Sequence, residues 1–237
     1  MDKKILVAGD SYAEPGNFSW TSLLAKKTGW SIKNIARRGT SLAWTYKQLA
    51  KENLSKFDNV IVIITDPNRI YTANSPHPCN LEMTERFLRD NDARAEHYEI
   101  HLAARHYYEY FFDLELALIQ QEALLVKMRQ MSDNIIFIRG IYDGSDLGFV
   151  KNDFNLIDVT RKEIQSIDKK LVKQLEKTYF ESKFRINHMS IENKNVLVEY
   201  IHDVITIGHS DITIDSFFSL DENSFNKYFV EYLGVEK

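Results

Sequence analysis

The chain of 237 residues holds a single cysteine, Cys79, and so has no intrachain disulfide. That usage fits a reducing compartment, and a cytoplasmic protein is the expectation. Proline and glycine are also scarce, at 4 and 9 residues. No linker-like stretch divides the chain, and no internal repeat is visible. No apolar run approaches the roughly 18 residues of a membrane span, so no membrane partner is expected. The first apolar run follows Met1-Asp2-Lys3-Lys4 and stops at Gly9-Asp10, too short for a signal peptide. Excess positive charge is missing as well. A net charge of −4 gives no electrostatic reason to expect nucleic acid. What is present is the mix of a globular domain, 44% hydrophobic and 27% charged.

Short apolar runs alternate with helical stretches. Residues 4–8, 31–35, 59–64 and 134–138 read as strands; 59–64 (NVIVII) is β-branched and too short for a typical helix. Helices are expected over about 17–28, from Ser41 as cap to about 53, over 159–180, over 190–207 and over 221–233. The signal is helical from 81 to 131, and residues 96–131, which lack Gly and Pro, form one long helix or two with a break. A last short strand is expected at 184–187 and an extended piece at 211–217. This alternation predicts a parallel sheet with helices on both faces. In such sheets ligands sit beyond the carboxyl ends of the strands.

The turns at those ends carry the useful chemistry. Gly9-Asp10-Ser11 follows the first strand and offers a hydroxyl beside a backbone N–H at the start of a helix. Gly39 lets the backbone approach a ligand and present its N–H. Thr65-Asp66-Pro67-Asn68-Arg69 follows the third strand; the Asn68 amide suits an oxyanion and Arg69 an anionic group. Far downstream, Asn187-His188-Met189-Ser190 precedes a helix, and His188 is the base that a serine nucleophile needs. Each has a plain alternative. Ser11 could cap a helix, His188 could sit idle on the surface, and Gly39 and Asn68 could be ordinary turn residues. Arg69 could be solvated or paired, and Asp10 could hold its turn rather than touch a substrate.

Together these residues resemble the SGNH/GDSL hydrolase superfamily. The nucleophile block is matched by Gly9-Asp10-Ser11, the glycine block by Gly39 within Asn34-Ile35-Ala36-Arg37-Arg38-Gly39-Thr40-Ser41, and the histidine block by Asn187-His188-Met189-Ser190. The resemblance implies a flavodoxin-like three-layer α/β/α sandwich over residues 1–207, with 67–131 as a helical insertion or lid and 208–237 as an extension packed on it. It implies a Ser11–His188 esterase working through an acyl-enzyme. The N–H groups of Ser11 and Gly39 and the Asn68 amide would hold the oxyanion, with Asp10 and Arg69 beside the substrate. A small ester or an acylated glycan is the implied substrate. Two positions depart from the family pattern. The third block reads Thr65-Asp66-Pro67-Asn68 in place of Gly-x-Asn-Asp, and Arg185 stands three residues before His188, where an Asp is usual. The orienting acid is therefore absent, supplied from elsewhere, or replaced by a Ser–His dyad. A catalytically inactive binding or structural protein of the same fold is the alternative.

No cofactor or metal is expected. His97 and His101 share a helix face, but His106 falls off it and no Glu follows His97. The aromatic residues around them point to a helix packed on the core or on a second copy of the chain, a homo-oligomer contact through 96–131. His77-Pro78-Cys79 reads as loop.

Overall fold

Three of the strands are apolar on both sides and buried, and the fourth, at the sheet edge, is more polar. The computed structural model describes residues 2–17, 19–71, 80–142, 144, 147–167 and 189–219. Within them β1 (Lys4–Ala8), β2 (Ser31–Asn34), β3 (Asn59–Ile64) and β4 (Ile135–Arg139) form a parallel sheet in the order β2-β1-β3-β4. Ile5 pairs with Ile32 and with Asn59, and Ile61 with Ile136. Successive residues point to opposite faces. Ile5, Val7, Ile61, Ile63, Ile136 and Ile138 join one core cluster. Leu6, Ala8, Val60, Val62, Ile64 and Phe137 join another.

Helices cover each face. The first cluster is closed by Trp20 and Leu24 of α1 (Trp20–Thr28), Val159 of α6 (Leu156–Ile164) and Leu197 and Ile201 of α7 (Ile191–Thr206). The second is closed by Leu42 and Leu49 of α2 (Leu42–Leu49) and by Leu125 and Met128 of α5 (Leu114–Arg129). The result is a mixed α/β architecture of three layers with a central parallel sheet, as expected. The strand order reverses between β1 and β3, which opens a crevice past their carboxyl ends.

Several boundaries differ from expectation for local reasons. Helix α1 starts at Trp20 because Ser19 accepts the Ser22 N–H and caps it. Ser11 is therefore not a helix cap, nor does its N–H lie at a helix start. Helix α2 ends at Leu49, before residue 53. The run 96–131 is two helices, α4 (Tyr98–Tyr110) and α5, because Phe111 leaves helical backbone angles and Asp113 caps α5 through the Leu116 N–H. Helix α3 (Leu81–Asp90) precedes them and starts at Leu81 as expected. Helix α6 begins at Leu156, earlier than expected. The stretch 211–217 contains a 3-10 turn (Ile214–Ser216) closed by Thr213 and Ser216 in place of extended chain. Its Phe217 enters the core, and Phe218 exchanges two backbone bonds with the Asn193 side chain. The strand expected at 184–187, the rest of the 159–180 helix and the 221–233 helix lie outside the described residues.

Gly9 shows how tightly β1 approaches β3. Its φ is 144°, and a Cβ there would lie 2.8 Å from Ile63 Cβ and 3.0 Å from the Ile63 carbonyl oxygen. Gly208 also has positive φ, 89°, but open space around it. Gly9→Ala is expected to cost roughly 2–4 kcal/mol from strain plus overpacking. Gly208→Ala should cost only about 1 kcal/mol from strain. Urea denaturation of both variants checks this, and equal losses would refute the close-approach argument.

Candidate active site

Ser11 occupies the apex of the turn that leaves β1. The Asp10 carbonyl accepts the Ala13 N–H at 3.0 Å, and Asp10 Oδ1 accepts the Tyr12 N–H at 3.0 Å, so one residue closes the turn twice. Tyr12 is anchored in turn, its carbonyl accepting from Trp20 Nε1 at 2.7 Å. Ser11 itself is 6% exposed. Neither its N–H nor that of Gly39 donates to another described residue.

The Asp10 carboxylate is fully buried and bridges the crevice. Its Oδ2 accepts from Thr65 Oγ1 at 2.8 Å, at the end of β3, and from Arg69 Nη1 at 2.7 Å. A buried charge is tolerated only when paired and hydrogen-bonded, and Asp10 is both. Arg69 also donates to the Thr40 carbonyl at 3.3 Å, which links the turns after β1, β2 and β3. The Gly9 carbonyl completes the link, accepting the Arg37 N–H at 3.1 Å and the Thr40 hydroxyl at 3.4 Å. Gly39 sits in this loop with φ of 72°, a left-handed conformation that suits glycine.

The sequence-derived site residues thus fall into three groups. Ser11, Asp10, Gly39 and Arg69 belong to one set of bonded turns past the carboxyl ends of β1, β2 and β3. Arg69 spends one nitrogen on Asp10 rather than lying open to an anion. Asn68 is nearby, but its backbone N–H and its Nδ2 both donate to Asp66 Oδ1 at 2.8 Å, and its carbonyl accepts the Tyr108 hydroxyl. One N–H of its amide is therefore engaged. His188, Arg185 and the His77-Pro78-Cys79 segment lie outside the described residues. Of the remaining histidines, His97 starts α4 and His101 is buried, its ring stacked on Phe87 at 4.0 Å.

Glu163 was not anticipated from the sequence. It lies on α6 among residues of alternating charge, a pattern that reads as solvated surface. In the fold it is 3% exposed, and both its oxygens accept the Ser190 N–H, at 2.9 and 3.0 Å. Ser190 caps α7 through the Asn193 N–H. The carboxyl group thus holds the chain two residues after His188. Burial pushes Glu163 up from 4.5 to about 7, against the opposing pull of the Ser190 bonds and the Lys194 charge. Burial likewise lowers Lys194.

No family model matches this chain, and none of the curated proteins does. Among the solved structures similar to it are three with the following descriptions. One is a protein from Desulfitobacterium hafniense described as lipolytic and of the G-D-S-L family, 16% identical, with 58% of each chain covered and a TM-score of 0.30. A second is the psychrotrophic esterase EstA from Pseudoalteromonas sp., inhibited by monoethylphosphonate. It is 13% identical over 87% of this chain and 98% of that one, with a TM-score of 0.44. A third, from Parabacteroides merdae, is described as a GDSL-like lipase and is 14% identical over 99% and 97%, with a TM-score of 0.36. This chain spans just over half the length of the first. Likeness at this level carries no residue roles.

Two expectations follow from the site. Arg69→Ala strands the Asp10 charge with only the Thr65 and Tyr12 donors, at a cost of about 3 kcal/mol in chemical denaturation. Asp10→Asn/Arg69→Met, which removes both charges, should be less damaging than Arg69→Ala; a double variant equally unstable would refute the ion-pair account. For Glu163, the folded state holds the proton to higher pH than the unfolded chain. Its contribution to stability is fully present below about 4.5 and lost as pH rises through about 7. Glu163→Gln should flatten that part of the stability–pH curve, and an unchanged slope in Tm between pH 5 and 7.5 would refute it.

Proposed function

We propose that the protein is a serine hydrolase acting on a carboxyl ester, with Ser11 as nucleophile and His188 as base. The observation that supports this most is the braced turn at the β1/β3 crevice. It presents a serine whose N–H donates to no other described residue, and its bonds reach the loop of Gly39, whose N–H likewise donates to none of them. His188 takes the Ser11 proton as Oγ attacks the ester carbonyl. The Ser11 and Gly39 N–H groups and the remaining Asn68 amide N–H hold the resulting oxyanion. Collapse expels the alcohol, which takes its proton from His188. Water, deprotonated by His188, then releases the acid and frees Ser11. A small ester, such as an acetyl group carried on a sugar, is a substrate of this kind.

A second reading has its own support. Asn68 already donates to Asp66, and Arg185 stands where the resemblance calls for an acid. Both suit a protein that keeps this fold and binds a partner without turnover.

A fluorophosphonate probe separates the two. Wild type should label at Ser11, Ser11→Ala should not, and His188→Ala should label at least tenfold more slowly. Asn68→Ala should lower kcat on a reactive ester by about 100-fold. A well-folded wild type that fails to label leaves the binding-protein reading standing.

A further inference from the structure

Helix α5 is apolar on two opposite sides. Inward, Leu125 and Met128 enter the core, and Gln121 Nε2 donates to the Thr65 carbonyl at 2.6 Å. Beside them Ala117 and Leu124 line a cavity of about 540 Å³ between α5, α4 and α2. Outward, Leu116, Ile119, Ala123 and Val126 follow one another at steps of three, four and three residues. At about 3.6 residues per turn they form one stripe, on the side away from Gln121 and Leu125. Leu116, Ile119 and Val126 are 51%, 56% and 42% exposed, and Ala123 is exposed as well. Alternating steps of three and four are the spacing by which two helices interlock side by side. The outer side of a helix on a lone domain is ordinarily polar.

The charges beside the stripe match a second copy of the same helix. Asp113, Gln120 and Lys127 run along one edge, and Glu115, Glu122 and Arg129 along the other. Each edge is acidic at the start of α5 and basic at its end. A second α5 laid antiparallel therefore sets acid against base on both edges. Asp113 meets the second copy's Lys127, and Glu115 meets its Arg129. The same register sets Leu116 against Val126 and Ile119 against Ala123. Unlike ends of the two helix dipoles also come together. A parallel pair would instead crowd both acidic ends side by side. Glu122 meets its own copy beside the axis, a like-charged contact that weakens the pair.

We propose that a second copy of this chain covers the stripe, through an antiparallel α5–α5 contact about a twofold axis level with Gln121. Such a contact is self-complementary, as twofold symmetry requires. It narrows the contact expected through 96–131 to one helix, and it stands apart from the hydrolase reading. Helix α5 has 16 residues and is about 24 Å long, which is small for an interface. The dimer therefore dissociates on dilution.

Sedimentation equilibrium of the full chain between about 1 and 200 µM tests this. Wild type should pass from monomer to dimer across that range. Ile119→Lys puts a charge into each central layer and should raise Kd at least tenfold. Its urea midpoint should stay that of wild type, since the residue is exposed in the monomer. Lys127→Glu faces the second copy's Asp113 and should raise Kd about fivefold. Orientation is read by crosslinking in a Cys79→Ser background. Gln120→Cys lies beside the axis and should join its own copy through a short bismaleimide. Val126→Cys meets itself only in a parallel pair and should not join. A wild type that stays monomeric at the highest concentration overturns the proposal, whatever else then covers the stripe. So does a dimer that Ile119→Lys retains, or one that joins at Val126→Cys and not at Gln120→Cys. Should Ile119→Lys fail to fold, Lys127→Glu on the surface decides, and an unchanged Kd overturns the proposal.

Discussion

The carboxylate of Asp10 is the group on which the surrounding turns depend. It is fully buried at the point where strand order reverses, and it bonds a backbone N–H from its own turn, a hydroxyl from the end of β3 and a guanidinium beyond it. Removing a carboxylate from water is costly, and these donors offset the cost only in one geometry. The same arrangement therefore sets where Ser11 stands relative to β3 and, through Arg69 and Thr40, relative to the loop of Gly39. Gly9 permits it by letting β1 come within reach of Ile63.

The helices between β3 and β4 are attached to this centre rather than hung beside it. Leu125 and Met128 of α5 are buried against one sheet face, and Gln121 reaches the Thr65 carbonyl, the first of the turn after β3. Tyr108 of α4 bonds the Asn68 carbonyl. The residues that would shape an oxyanion site and those that line the cavity thus share neighbours. Other faces of these helices remain open: Tyr110 and Phe111 are 73% and 75% exposed. On the other side of the sheet, Glu163 fixes the start of α7 from a different element, so the chain near His188 is also held from a distance.

Much of the layered fold was legible before the structure. The runs 4–8 and 59–64 are strands over those residues, since a short β-branched stretch with both faces apolar has few other uses. The cap at Ser41 was legible too, because a serine oxygen meets an orphan N–H three residues on. The break between α4 and α5 was left open, since no Gly or Pro marks it and Asp113 is one acid among many.

Sequence alone therefore determined the local matters: strand runs, the cap at Ser41 and the strand-end turns that carry Ser11, Gly39 and Arg69. Those depend on bonds within a few residues and on periodicity. Tertiary structure alone decided that Ser11 lies well before α1, that Arg69 neutralises Asp10, that Asn68 turns to Asp66 and that Glu163 is buried. These outcomes depend mostly on which distant groups meet when the sheet closes, and on how much water each loses. Ser11 and His188 are separated by most of the chain, and a shared site for them can come only from that closure.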